Sequence, residues 1–323
     1  MDVHSSPAHG SNTPRSVAEN ASGTPSVNSF EPSNESAPPN DSTESRDEHR
    51  RSRAPAEGGT FVVGVSEDRN KRCRRAMEDS HSYFYDFNNV KGQGFFAIFD
   101  GHAGRSAAEW CGNHFHETFL DVLENNKDKS TQEVFNLAFL QADAQLNQTE
   151  GKHSGCTAVT AFLRIEEAKD NEGNPVKKKI LCTANVGDAR AVLCRNGKAI
   201  RLSYDHKGSD EQEAKRITDL GGFMMNNRVS GILAVTRSLG DCSMKEFIVG
   251  SPYTSETELT KRDPFLILAC DGLWDVCDDQ EAVDLIKDIQ DPQEASEKLL
   301  KHALTNFSTD NLSVMVVRFS NDD

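Results

Sequence analysis

The chain has 323 residues, 51 acidic against 36 basic, for a formal net charge of −15, a field that repels nucleic-acid phosphates and anionic membranes, so neither is expected as a partner. Its apolar runs, such as Phe265-Leu266-Ile267-Leu268-Ala269-Cys270, fall far short of the ~20 residues a membrane-spanning helix needs. The eight cysteines include no CxxC pair and sit mostly in apolar stretches, which points to a reducing, intracellular compartment.

Residues 1–58 are dominated by Ser, Asn, Pro, Glu and Ala, with almost no aliphatic or aromatic side chains. Such a segment buries too little apolar surface to offset its conformational entropy and is expected to be a disordered tail. It shows neither the apolar core of a secretory signal nor an acid-free presequence helix. Ser6-Pro7, Thr13-Pro14 and Thr24-Pro25 match proline-directed phosphorylation, although Ser/Pro-rich tails contain such pairs by chance. The mixed-charge run Arg46 to Arg53 reads as a solvated linker.

From Thr60 onward the pattern changes. Strands are expected over Thr60–Ser66, Ser80–Phe87 and Gly94–Phe99 from their alternation and their β-branched and aromatic content. Ala107, Cys111, Phe115 and Phe119 recur at helical spacing and predict a helix over Arg105–Glu124; a second follows over Thr131–Gln148. Strands at Cys156–Ile165, Ile180–Val186 and Ala189–Arg195 lead through the hairpin dipeptide Asn196-Gly197 into Lys198–Leu202. Glu166–Lys179 reads as an exposed hairpin insertion. Helices at Ser209–Leu220, Asp279–Ile289 and Gln293–Thr305 then alternate with strands at Phe265–Ala269 and Leu312–Phe319. Runs of strands interrupted by helix pairs favour an α+β fold of packed antiparallel sheets with helices outside.

The acidic residues are placed unusually. Asp100 directly follows the apolar strand Phe95–Phe99, and Asp271 directly follows Phe265–Cys270; Asp310-Asn311 precedes Leu312–Val317, and Glu78-Asp79 precedes Ser80–Phe87. Any one of these aspartates alone reads as a turn or cap residue. If the strand ends meet, the repulsion and desolvation of several carboxylates call for a compensating cation. With oxygen donors and no Cys/His cluster at zinc spacing, that cation should be hard, Mg²⁺ or Mn²⁺.

Ordered motifs carry a family resemblance: Arg74-Arg75-Ala76-Met77-Glu78-Asp79, Phe99-Asp100-Gly101-His102-Ala103-Gly104, Ser154-Gly155-Cys156-Thr157-Ala158, Asn185-Val186-Gly187-Asp188-Ala189-Arg190, Asp205-His206-Lys207, Leu233 to Asp241, Asp271-Gly272-Leu273-Trp274-Asp275-Val276 and Asp310-Asn311. Together they resemble the metal-dependent PPM/PP2C protein serine/threonine phosphatases, in texture most like the compact fungal members that dampen stress MAP kinase pathways. The resemblance implies a four-layer α/β/β/α sandwich over residues 59–320, with a variable flap at about 207–261.

It further implies a hydroxide bridging two Mg²⁺ or Mn²⁺ ions that attacks phosphorus in line, without a phosphoenzyme. Asp100 would bridge the ions, the Gly101 carbonyl would join one, and Asp271 and Asp310 would complete the other. Glu78 and Asp79 would act through waters, Arg74 would clamp the phosphate, and His102, otherwise readable as a helix cap, would protonate the leaving oxygen. Asp188 and Asp275 match ligands of a weaker third ion. Gly208 stands where the family usually has Pro, so the following loop should be less rigid. The implied partners are phosphoproteins, a MAP kinase among them, acted on by a monomer in the cytoplasm and nucleus. The rival reading is a catalytically silent scaffold that binds phosphoproteins. No Cys-x5-Arg, DxDxT/V or GxxxxGK[ST] motif offers another phosphatase or phosphate-loop chemistry.

Overall fold

The computed structural model describes residues 59–149, 153–169 and 172–320; the tail over 1–58, with its three Ser/Thr-Pro pairs, lies outside the described residues. One sheet runs β1 (Phe61–Asp68), β13 (Leu312–Phe319), β12 (Phe265–Ala269), β6 (Arg190–Arg195), β7 (Lys198–Arg201). The other runs β11 (Tyr253–Leu259), β5 (Pro175–Val186), β4 (Gly155–Lys169), β3 (Gly94–His102), β2 (Ser80–Tyr85), with β10 (Leu239–Gly240) added on β4. Every pairing within these two sheets is antiparallel.

Strand periodicity sorts the core into three apolar layers. Along β3, Phe95, Ala97 and Phe99 face helices α1 (Ser106–Asn125) and α2 (Thr131–Leu146), while Phe96 and Ile98 face the second sheet. Along β12, Leu266 and Leu268 join that inter-sheet layer. Phe265, Ile267 and Ala269 meet α4 (Asp271–Trp274), α5 (Asp279–Ile286) and α6 (Pro292–Thr305) on the outer side. Strands buried on both faces read as continuous apolar runs. Burying each Leu, Ile or Phe contributes about 1.5–3 kcal/mol, so the sandwich holds largely through these layers. The α/β/β/α sandwich is thus the one expected. Helix starts follow local chemistry: Ser130 and Glu133 form a reciprocal capping box on α2, and Asp291 caps α6 with Pro292 in its first turn.

The insertion Glu166–Lys179 is a hairpin as expected, and β4 and β5 run into it in register, with Glu166 opposite Lys178 and Glu167 opposite Lys177; opposite charges across the ladder make a polar hairpin pair well. Two local expectations are corrected. Within the expected flap, Tyr253–Leu259 is a sheet strand, β11, along β5; as an edge strand rich in Thr and Glu it lacks an apolar signature. Gly208 is not a slack point: its amide donates to Ala234 O at 3.0 Å, and a Cβ there would stand 2.0 Å from Asn227 O. Pro lacks that donor, and no larger residue fits this approach.

The remaining flap contains α3 (Glu211–Asp219) and the hairpin of β8 (Met224–Met225) and β9 (Arg228–Val229). It is organised on one carboxylate. Glu213 accepts from Arg237 at 2.6 Å, Arg216 at 3.0 Å and Thr236 at 2.8 Å. Burial pushes Glu213 upward, but the two guanidiniums outweigh it and hold the acid at about 2.

Candidate active site

Strand register brings the dispersed acids to one end of the cleft between the sheets. Asp100 continues the parity of Phe96 and Ile98, which face that cleft. Ser80 pairs with Phe99, so Asp79 arrives beside Asp100. Val314 pairs with Ala269 across antiparallel strands, so Asp271 leaves β12 level with Leu312, and Asp310, two residues before it, comes close enough for its charge to act on Asp271. Asp188 lies in the turn that leaves β5 of one sheet for β6 of the other.

The electrostatics record this crowding. Burial first, and then the charges of Asp271, Asp79, Asp188 and Asp310, hold the Asp100 carboxyl well above the usual carboxylate range. Asp271 is raised likewise by burial and then by Asp188, Asp310 and Asp275, with Lys207 opposing. Burial lifts Asp79 to about 7, although Ser313 Oγ donates to its Oδ2 at 2.8 Å. Its Oδ1 is shielded and has no hydrogen-bond partner.

Mutually repelling carboxylates and an orphaned oxygen form a donor set suited to hard divalent cations. No three of these carboxylates bring donor oxygens within 4.8 Å of one another among the described residues. That spacing fits ions held by one or two carboxylates each, with water in the remaining positions, as Mg²⁺ prefers.

Arg74, half-exposed, directs Nη2 to Asp310 Oδ2 and donates from Nε to Thr309 O at 3.2 Å. Its segment is held by Asn311, a buried residue to which the motif alone gave no role. Asn311 Oδ1 accepts from Glu78 N at 2.9 Å, while Nδ2 donates to Arg69 O at 2.9 Å and Ala76 O at 3.0 Å. Gly101 seals the same junction, since a Cβ on it would stand 2.3 Å from Glu78 O.

His102 does not cap α1, whose cap residue is Arg105. Its Nε2 lies 2.7 Å from Asp241 Oδ2, an oxygen that also accepts from Ser238 Oγ. Asp241 ends the sequence run 233–241, but nothing local to that run tells which side chain it meets. Gly155 clears the space, as a Cβ there would come within 2.4 Å of both partners. Asp188 and Asp275 flank Lys207, whose Nζ is 3.4 Å from Asp188 Oδ2 and 3.1 Å from Asp275 Oδ1. An ammonium thus stands where a third cation was expected.

A family model described as Protein phosphatase 2C matches residues 63–312. The chain is 48% identical over 262 residues to Protein phosphatase 2C homolog 1 of Saccharomyces cerevisiae, covering 80% of this chain and 93% of that protein. It is 44% identical to Protein phosphatase 2C homolog 1 of Schizosaccharomyces pombe, covering 82% of this chain and 75% of that one. Among solved structures, a phosphatase from Toxoplasma gondii superposes with a TM-score of 0.69 at 24% identity, over 82% of this chain and 94% of that chain. This last likeness bears on the fold.

Proposed function

Because this chain belongs to the protein phosphatase 2C family, whose members are metal-dependent phosphoprotein hydrolases, we propose that it cleaves phosphoserine and phosphothreonine using two Mg²⁺ or Mn²⁺ ions. Asp100, the Gly101 carbonyl, Asp271 and Asp310 would hold them, with Glu78 and Asp79 acting through water. The observation that carries this reading is the gathering of Asp79, Asp100, Asp271 and Asp310 at one cleft end, where burial and mutual repulsion raise the first three. Bound there, the ions would supply Lewis-acid chemistry, activating water and neutralising phosphoryl charge.

The chain's own groups divide the remaining work. Arg74 exchanges Asp310 for the substrate, because a planar guanidinium pairs two donors with phosphate oxygens. His102, oriented by Asp241, gives its proton to the departing Ser or Thr oxygen. Lys207 neutralises Asp188 and Asp275, so a weaker third ion at that pair would have to displace it. Negative regulation of kinase signalling, with a MAP kinase as substrate, and a monomer acting in cytoplasm and nucleus are parts of the proposal that rest on similarity to compact fungal members. The test is hydrolysis of a phosphothreonine peptide: release of phosphate with Mg²⁺ or Mn²⁺ and none in excess EDTA is expected. Robust turnover in EDTA overturns the metal role, and binding without turnover favours the silent scaffold.

A further inference from the structure

In the outer layer of the five-stranded sheet a second donor cluster is formed by Cys277, Glu281 and His302. One donor atom of each, a thiol sulfur, a carboxylate oxygen and a ring nitrogen, lies within 4.8 Å of the others. Cys277 stands just before the N-cap Asp278 of α5, and Glu281 lies in the first turn of that helix. His302 reaches them from the last turn of α6. Its Nε2 is 3.2 Å from Glu281 Oε1 and 2.7 Å from Asn306 Nδ2. The sulfur belongs to a buried residue, whereas Glu281 is 48% exposed, so the cluster has an apolar floor and an open side.

We infer that Cys277, Glu281 and His302 form a site for a thiophilic divalent cation of the Zn²⁺ class, which would clip α5 to α6. Zinc takes S, N and O ligands at about 2.0–2.3 Å in tetrahedral array, so its ligands stand about 3.5 Å apart. The cluster must contract by about 1 Å, within the reach of the side-chain torsions of a surface Glu and a His. The fourth position on the open side is left to water. On binding, the thiol proton passes to solvent as the sulfur–metal bond forms, with no change of oxidation state. A soft thiolate beside an imidazole selects against Mg²⁺, the cation suited to the oxygen-only cleft. The bound ion would also fix the segment from Asp275 to Asp278, whose first carboxylate faces Lys207.

The test uses the full chain, stripped with chelator and titrated with Co²⁺ in excess Mg²⁺. A thiolate-to-cobalt charge-transfer band saturating at about one equivalent is expected. Cys277→Ser should abolish it. Loss of an outer-shell partner alone typically costs 10–100-fold in metal affinity, so His302→Asn, which removes a ligand, should raise the half-saturation concentration at least about tenfold. The band should persist in Asp100→Asn and Asp271→Asn, so this site and the phosphatase reading fail separately. In parallel, with the oxygen-only cleft saturated by excess Mg²⁺, added Zn²⁺ should raise the Tm of the parent protein more than that of Glu281→Gln. Absence of the band in the parent protein, or its survival in Cys277→Ser, overturns the inference.

Discussion

Nε2 of His102 lies 2.7 Å from Oδ2 of Asp241, a residue 139 positions further along the chain. Burial alone would raise Asp241, but hydrogen bonds from His102 and Ser238, with Lys245 nearby, hold it below the usual carboxylate range. It is therefore an anion at neutral pH, able to fix the imidazole through one nitrogen.

Replacing Asp241 with Asn should slow phosphothreonine hydrolysis by at least about tenfold, within the roughly 10²–10⁴-fold that a general acid supplies. An aryl phosphate, whose leaving group needs no proton, should be little affected. Equal slowing of both substrates removes the positioning role.

Asp100→Asn and Asp271→Asn should each abolish turnover with Mg²⁺ or Mn²⁺. Near-normal kcat in either variant refutes the assigned ligands.

The raised carboxyls also set a pH dependence. In metal-free protein, a native acid with a raised pKa contributes full stability below its unfolded value and loses it as pH rises through the native one. For Asp79 this window runs from 3.8 to about 7. His116 and His206, lowered by burial to about 4, act in the opposite direction between that value and 6.5. The comparison must therefore be with a variant: in EDTA, Asp79→Asn should gain on the parent protein as pH rises from about 5 to 7, by up to about 1.4 kcal/mol for each pH unit. Urea unfolding at the two pH values measures this, and a gain that shrinks with rising pH contradicts it.

Arg74→Lys keeps the charge at Asp310 but loses the fork, so KM for a phosphopeptide should rise several-fold with unchanged folding. Steady-state kinetics at saturating Mn²⁺ check this, and an unchanged KM excludes the clamp.

Asn311→Ala removes the acceptor for Glu78 N and the donors to Arg69 O and Ala76 O. These bonds are part-buried, and a hydrogen bond of this kind contributes about 0.5–1.5 kcal/mol, so denaturant unfolding should show a loss of about 1 kcal/mol or more. Arg74-dependent phosphate binding should weaken with it. A variant as stable as the parent would mean that water replaces all three bonds.

Much of this architecture was legible because it rests on local rules. The short continuous apolar run Phe95–Phe99 and the three- and four-residue steps from Ala107 to Phe119 mark a strand and a helix without reference to the rest of the chain. The acids were legible as strand-end residues; register then brings Asp79 to Asp100, and the segment leading into β13 carries Asp310 to Asp271. What escaped was set by tertiary contact. β11 is polar because it is an edge strand that, among the described residues, pairs only with β5, His102 meets Asp241 across the flap, and Lys207 meets Asp188 and Asp275 from outside their motifs. Cys277, Glu281 and His302 were invisible as a group because the packing of two successive helices, not their spacing along the chain, brings them together.

The contact of Gly101 with Glu78 O means that the strand bearing the central aspartate and the segment bearing the arginine abut backbone to backbone, with no room for even a methyl group. A single alanine there would pry the two apart while removing no charged group from the chain. Such a position offers a minimal wedge, a way to uncouple phosphate capture from cation capture by shape alone.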